Sequence, residues 1–365
     1  MVETDPTAQM RPQPLIAGFL LASAVCVFLA AATWHADQLS PVLAKATALM
    51  FFVVTVPFLV FFHELGHFLA AVMQGWRVPL FSFGALTLRR SPLRLHIGAP
   101  AYGDASGAVF AVPPEGRDSR LGWVLVYAGG PAANLLFAAL GGYAAYQAPQ
   151  SSTAETMYFL FAVISLCSGL YNLMPIRGGG TDGGQLLSVI VLPNVASRGL
   201  RARLMEQMIE GVRPRDWPPS LINAVARDSL WLGDAQGQLF VYAWHMDRGE
   251  VEQARAAFRH IRARRFFDEQ VYTEEAFLLA YVDGKPGEAR AAIARTHSWA
   301  IHHQPCYWRA EAAICALEGD AQNAREAVRK GRILCHDWPY ATAYDREYFD
   351  AIEKRIVQVA NGVRV

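Results

Sequence analysis

The sequence predicts a mainly α protein: a polytopic membrane helical bundle with a short β-rich membrane-associated insert, followed by a soluble α-helical repeat domain. Three observations lead there. Long apolar runs are confined to the first half, extended-type pieces punctuated by Gly and Pro interrupt them, and one phrase recurs at a fixed interval in the second half. In a chain of 365 residues, 53% hydrophobic side chains and a mean hydropathy of +0.17 exceed what a soluble globular protein carries. The excess lies in Leu15–Thr33, Ala46–Phe62, Leu121–Gln147 and Thr156–Ile176, which lack acids, Lys and Arg. Each approaches the roughly 20 residues that cross a bilayer core.

The first run could instead be a secretory signal, with Ala30, Ala31 and Ala32 near its end. Glu3 and Asp5 precede it against a single Arg11, and the run exceeds a usual signal core, so a retained helix is expected. The spans are placed at about 15–34, 46–73, 121–147 and 156–176, after a tail at 1–14 and within a membrane domain at 15–193. Arg77, Arg89, Arg90, Arg94, Arg117 and Arg120 lie between the second and third spans. The segments Trp34–Lys45 and Ala148–Glu155 hold only Lys45. That asymmetry predicts a multi-pass protein with both termini cytoplasmic, in a bacterial inner membrane.

Between the second and third spans, LFSFGALTLRR, LRLHIG and GAVFAV read as strands. After the fourth span come a glycine-rich turn, a short apolar piece at Gln185–Leu192, and a stretch with Arg198, Arg201 and Arg203 expected to rest on the membrane face. The region 194–225 is read as this interfacial helix and a linker, RPRDWPP at Arg213–Pro219. A helical domain at 226–365 follows.

There DRGEVEQAR, VDGKPGEAR and LEGDAQNAR recur with Gly249, Gly284 and Gly319 spaced 35 residues apart, and Ala254, Ala289 and Ala324 in step. A glycine turn before a helix with a small inward residue is what stacked helical hairpins need. The phrases resemble tetratricopeptide repeats, which implies a surface for a cytoplasmic protein or peptide partner. An irregular helical bundle is the alternative. His302 and His303 are adjacent, cannot share a helix face, and read as surface residues.

A net charge of +1 with no basic–aromatic alternation excludes nucleic acid as a partner. The five cysteines, Cys26, Cys167, Cys306, Cys315 and Cys335, form no close pair, which argues against a disulfide framework or a thiolate zinc site.

The chemistry lies in FFHELGHFLA, Phe61–Ala70. His63 and His67, at i and i+4, project from one helix face and can share one metal ion, while Glu64 can act as general base on water at the metal. These ionisable side chains continue an apolar run, Phe58–Phe62, and burying them in a membrane costs at least about 2.5 kcal/mol for a charged group. Histidines merely bonding between helices would not account for the acid beside them. A catalytic zinc ion takes three protein ligands. Asp182, the sole carboxylate between Glu155 and Glu206, is the candidate for the third. It stands among glycines expected to let the backbone approach the metal.

HELGH, AGGPAAN at Ala128–Asn134, and NLMPIRGGGTDGG from Asn172 together resemble the site-2 protease family over about residues 46–192. The resemblance implies an intramembrane zinc metalloprotease acting on single-span membrane proteins in the lipid bilayer, with one catalytic Zn2+ ion. It carries ligand roles to His63, His67 and Asp182 and the base to Glu64, and it groups Asn172 and Asn134 on the substrate side, the first orienting the substrate strand and the second near the site in a packing or polar role. Here Thr181 precedes the aspartate where most members have leucine, and IRGGG lengthens the loop. The rivals are a catalytically inactive scaffold binding partners through the repeats, and a soluble zincin tethered to the membrane. The second conflicts with a motif that continues an apolar run.

Overall fold

The computed structural model describes residues 41–84, 86–90, 93–97, 107–150, 152–176, 181–191, 196–232, 235–263, 269–337 and 343–360. The expected first span and the glycines at 178–180 lie outside them. Contacts divide the chain into two compact units, one comprising residues up to Gln74 with Ser119–Pro193 and the other Gly75–Asp118 with Asn194–Val365. The strand insert, expected within the membrane domain, thus groups with the helices that follow residue 194.

The first unit contains α1 (Pro41–Met73), α2 (Arg120–Gln147), α3 (Thr153–Leu173) and α4 (Asp182–Val191). Among the described residues, Thr55–Met73, Arg120–Gln147 and Ala154–Leu173 are long and apolar enough to cross a membrane. The last starts slightly before the expected 156 because Ser152 Oγ accepts from Glu155 N at 3.1 Å and caps the helix. Ser119 Oγ caps α2 likewise, accepting from Gly122 N at 2.9 Å. The helices α1 and α2 approach backbone to backbone, since a Cβ on Gly66 would collide with the Gly129 carbonyl and one on Gly129 with that of Gly66. Small residues are how helices pack where lipid removes the hydrophobic drive. One turn farther along, Phe58, Phe62, Phe137 and Phe161 join α1, α2 and α3 with ring centroids 4.4–6.1 Å apart.

In the second unit β1 (Arg77–Phe83), β2 (Leu86–Arg89), β3 (Arg94–Ile97) and β4 (Gly107–Val112) form an antiparallel sheet of order β3-β2-β1-β4. Its polar alternates face inward, where Ser82 and Thr87 hydrogen-bond at 3.1 Å. The other face carries Phe81 opposite Leu88 and Phe83 opposite Leu86, with Leu88 opposite Leu95; Leu86, Leu88 and Leu95 are exposed. A solvated sheet face is ordinarily polar, so this pattern is inverted.

The stretch expected to lie on the membrane is helix α5 (Ala196–Glu210), and it packs on this sheet. Ile209 and Leu80 are fully buried against one another with Phe110, Met205 and Met208 around them. Two of its charges pair within the unit, Glu206 with Arg77 at 2.6 Å and Arg203 with Asp118 at 3.1 Å. The expected linker is also packed. Trp217 is 1% exposed in the helical core, and Arg213 pairs with Asp247 and Glu347.

The helices α6 (Pro219–Leu232), α7 (Ala235–Asp247), α8 (Val251–Ala263), α9 (Glu269–Phe277, extended by a π turn to Val282), α10 (Pro286–Ile293), α12 (Pro305–Leu317), α13 (Ala321–Asp337) and α14 (Ala343–Ala360) share one core, and the short α11 (Trp299–His302) packs on α12. The recurring phrases join α7 to α8, α9 to α10 and α12 to α13. Their glycines have φ of 74°, 65° and 80°, a conformation a side chain would strain, and Ala254, Ala289 and Ala324 are completely buried. His302 and His303, expected at the surface, are half-buried, the His302 ring lying tilted against Tyr307 with centroids 4.4 Å apart.

Candidate metal centre

The site is built in the first unit where α1, α2 and α4 meet. His63 and His67 are both 7% exposed, one helical turn apart on α1. Asp182 opens α4, where the helix dipole favours a carboxylate. His63 Nε2 lies 3.0 Å from Asp182 Oδ2, His67 Nε2 lies 3.3 Å from Asp182 Oδ1, and the two Nε2 atoms are 3.2 Å apart.

Each imidazole is held from behind. His67 Nδ1–H donates to the Val126 carbonyl at 2.7 Å, so its Nε2 presents a lone pair. His63 Nδ1 is 3.1 Å from the amide of Asn134, which is fully buried and also 3.0 Å from Ser168 Oγ on α3. The two ends of a carboxamide are exchangeable in placement. As placed, Nδ2 faces both groups; turned end for end, the Asn134 oxygen would accept from His63 Nδ1–H and the Ser168 hydroxyl, leaving His63 Nε2 likewise with a lone pair.

In that orientation the two Nε2 lone pairs and the Asp182 carboxylate converge with no donor between them, an arrangement that repels unless a cation sits among them. Zinc at about 2.0–2.1 Å from tetrahedral ligands places those ligands roughly 3.3–3.4 Å apart; the two histidine nitrogens are 3.2 Å apart, and each lies 3.0–3.3 Å from a different Asp182 oxygen. His63, His67 and Asp182 are the one group among the described residues whose ligand atoms could hold a metal ion, all lying within 4.8 Å of one another. Glu64, also 7% exposed, interacts electrostatically with His67 and Asp182 without joining the triangle.

The structure therefore brings His63, Glu64, His67, Asp182 and Asn134 together. Asn134 backs a histidine from a fully buried position. Asn172 is half-buried and donates to the Ser168 carbonyl of its own helix at 3.1 Å. The glycines beside Asp182 serve a different contact from the one expected. A Cβ at Gly183 would strike the Leu173 and Met174 carbonyls, and one at Gly184 the Ile176 carbonyl, so they seat α4 on the end of α3. Sequence reasoning missed Ser168 and Gly130. A Cβ at Gly130 would press on both Nε2 atoms. The paired glycines of AGGP were the available signal.

These features define a helical membrane protein with a buried His-His-Asp group and an adjacent glutamate. Residues 51–151 match the sequence model of peptidase family M50. That match and the apolar helices point to a membrane metallopeptidase. Asp182 lies beyond the matched segment, so its place beside the histidines is an independent observation. Neither the curated proteins nor the solved structures gave a match.

Proposed function

We propose that this chain is an intramembrane zinc endopeptidase of the site-2 protease type that cuts single-span membrane proteins in or near their transmembrane segment. The observation that carries this is the convergence of His63 Nε2 and His67 Nε2 on the two oxygens of Asp182 beside a buried Glu64. A zinc ion held by these three residues would polarise the scissile carbonyl and acidify a water molecule. Glu64 takes the proton from the attacking water and delivers it to the leaving amine. Val126 and Asn134 keep the imidazoles in the tautomer that ligation needs. A substrate helix hides its amides, so it must unwind into an extended strand before cleavage. The four-stranded insert, with β3 and β4 at its edges, is suited to receive such a strand.

The protein is read as sitting in a bacterial inner membrane with both termini cytoplasmic, as the arginine asymmetry supports. The paired helices after residue 235 are read as tetratricopeptide-like and as the surface for a cytoplasmic partner, supported by the glycine and alanine positions that repeat every 35 residues. In the decisive experiment, detergent-purified wild type and Glu64→Gln both bind about one zinc per chain. Membrane proteomics then shows cleaved fragments only with the wild type. Equal fragments from Glu64→Gln would remove the glutamate from its role.

A further inference from the structure

Asp182 has to arrive at the histidines after a loop lengthened by IRGGG, and what fixes its position is visible on the residue before it. Thr181 is 4% exposed. Its Oγ1 donates to the Met174 carbonyl at 2.6 Å, just past the end of α3, and accepts from Gly184 N at 3.2 Å in the first turn of α4. Its own carbonyl accepts the first helical bond of α4, from Gln185 N at 3.2 Å, so Thr181 is the N-cap of the helix that Asp182 opens. Gly183 and Gly184 close the same seam, their missing Cβ atoms letting the turn sit on the carbonyls of Leu173, Met174 and Ile176.

We propose that Thr181 is a positioning residue, whose hydroxyl latches the first turn of α4 to the carbonyl beyond the end of α3 and thereby sets the Asp182 carboxylate against His63 and His67. A leucine here could pack but could not make either bond. The hydroxyl is therefore the part of this departure that suits the longer loop. The proposal rests on Asp182 being a metal ligand.

The test measures Zn2+ affinity by chelator competition, and the visible spectrum of bound Co2+, on full-length wild type, Thr181→Ser, Thr181→Val, Thr181→Ala and Asp182→Ala. Loss of an outer partner of a ligand typically costs about 10–100-fold in metal affinity. Thr181→Val and Thr181→Ala are expected to lose that much and to show an altered Co2+ spectrum, while Thr181→Ser keeps both at the wild-type level because the hydroxyl remains. Should valine prevent folding, the serine and alanine pair makes the same comparison without added bulk. Wild-type affinity and spectrum in Thr181→Ala or Thr181→Val would overturn the latch, as would loss of affinity in Thr181→Ser. Undiminished affinity in Asp182→Ala would instead remove the aspartate from the ligand set and the latch with it.

Discussion

Gly130 and Asn134 lie one turn apart on α2 and act on the two histidines from opposite requirements, one by having no side chain and the other by filling a buried position. Gly130→Ala would place a methyl against both Nε2 atoms. It is expected to abolish zinc binding in a protein that still folds, as measured by metal content and gel filtration. Asn134→Ala removes the partner of His63 Nδ1 and is expected to weaken zinc binding by about 10–100-fold. Asn172→Ala should leave it unchanged, because that amide bonds to its own helix backbone. Loss of zinc in Asn172→Ala alone would reverse these assignments. HELGH was legible because i and i+4 spacing acts within one helix. Gly130 and Ser168 were not, since their contacts depend on how α2 crosses α1 and α3.

At the scale of elements, α9, α12 and α14 are tied together by one buried cation. Arg309, 1% exposed, donates to both Glu274 oxygens at 2.6 Å and to Asp345 at 2.7 Å, and its guanidinium lies 4.4 Å from the Phe277 ring centroid and 4.7 Å from that of Tyr344. Burial raises the pKa of Glu274 and of Asp345, with Arg309 opposing. Arg309→Met would leave two buried carboxylates without their cation, at a cost of about 3–5 kcal/mol. The folded-state pKa values then rise further above the unfolded ones. Between the two, the native state binds more protons than the unfolded state, so stability falls as pH rises through that window. The thermal unfolding midpoint of Arg309→Met is therefore expected to be higher at pH 5 than at pH 8, with a smaller difference in the wild type. A variant no less stable than the wild type at pH 8 would show that the pair is dispensable. The 35-residue phrase revealed the hairpins because each is local, but not this network, whose members are separated by 35 and 36 residues in sequence.

For the whole molecule, the spans deliver HELGH and Asp182 to one place, as they must if both motifs lie at the same depth. Under the orientation proposed from the arginine asymmetry, that end faces the cytoplasm. Single cysteines replacing Arg90 or Arg329, in a background lacking the five native cysteines, are expected to resist a membrane-impermeant thiol reagent in intact cells. One replacing Gln150 should react. Labelling at position 90 from outside would overturn the orientation.

The sequence by itself determined three of the apolar spans, the strand-forming insert, the spacing of the helical hairpins and the His-His-Asp group with its adjacent glutamate. Each is encoded by nearest-neighbour chemistry or a short period: hydropathy over a bilayer's thickness, one helical turn between histidines, a glycine where φ must be positive. Only the tertiary structure decided what α5 covers, where the glycines beside Asp182 point, that Asn134 backs His63, and that Thr181 closes the seam between α3 and α4. An arginine, a glycine or an amide reads the same in sequence whether its partner is lipid, metal or a carbonyl from another helix, and packing alone chooses among them.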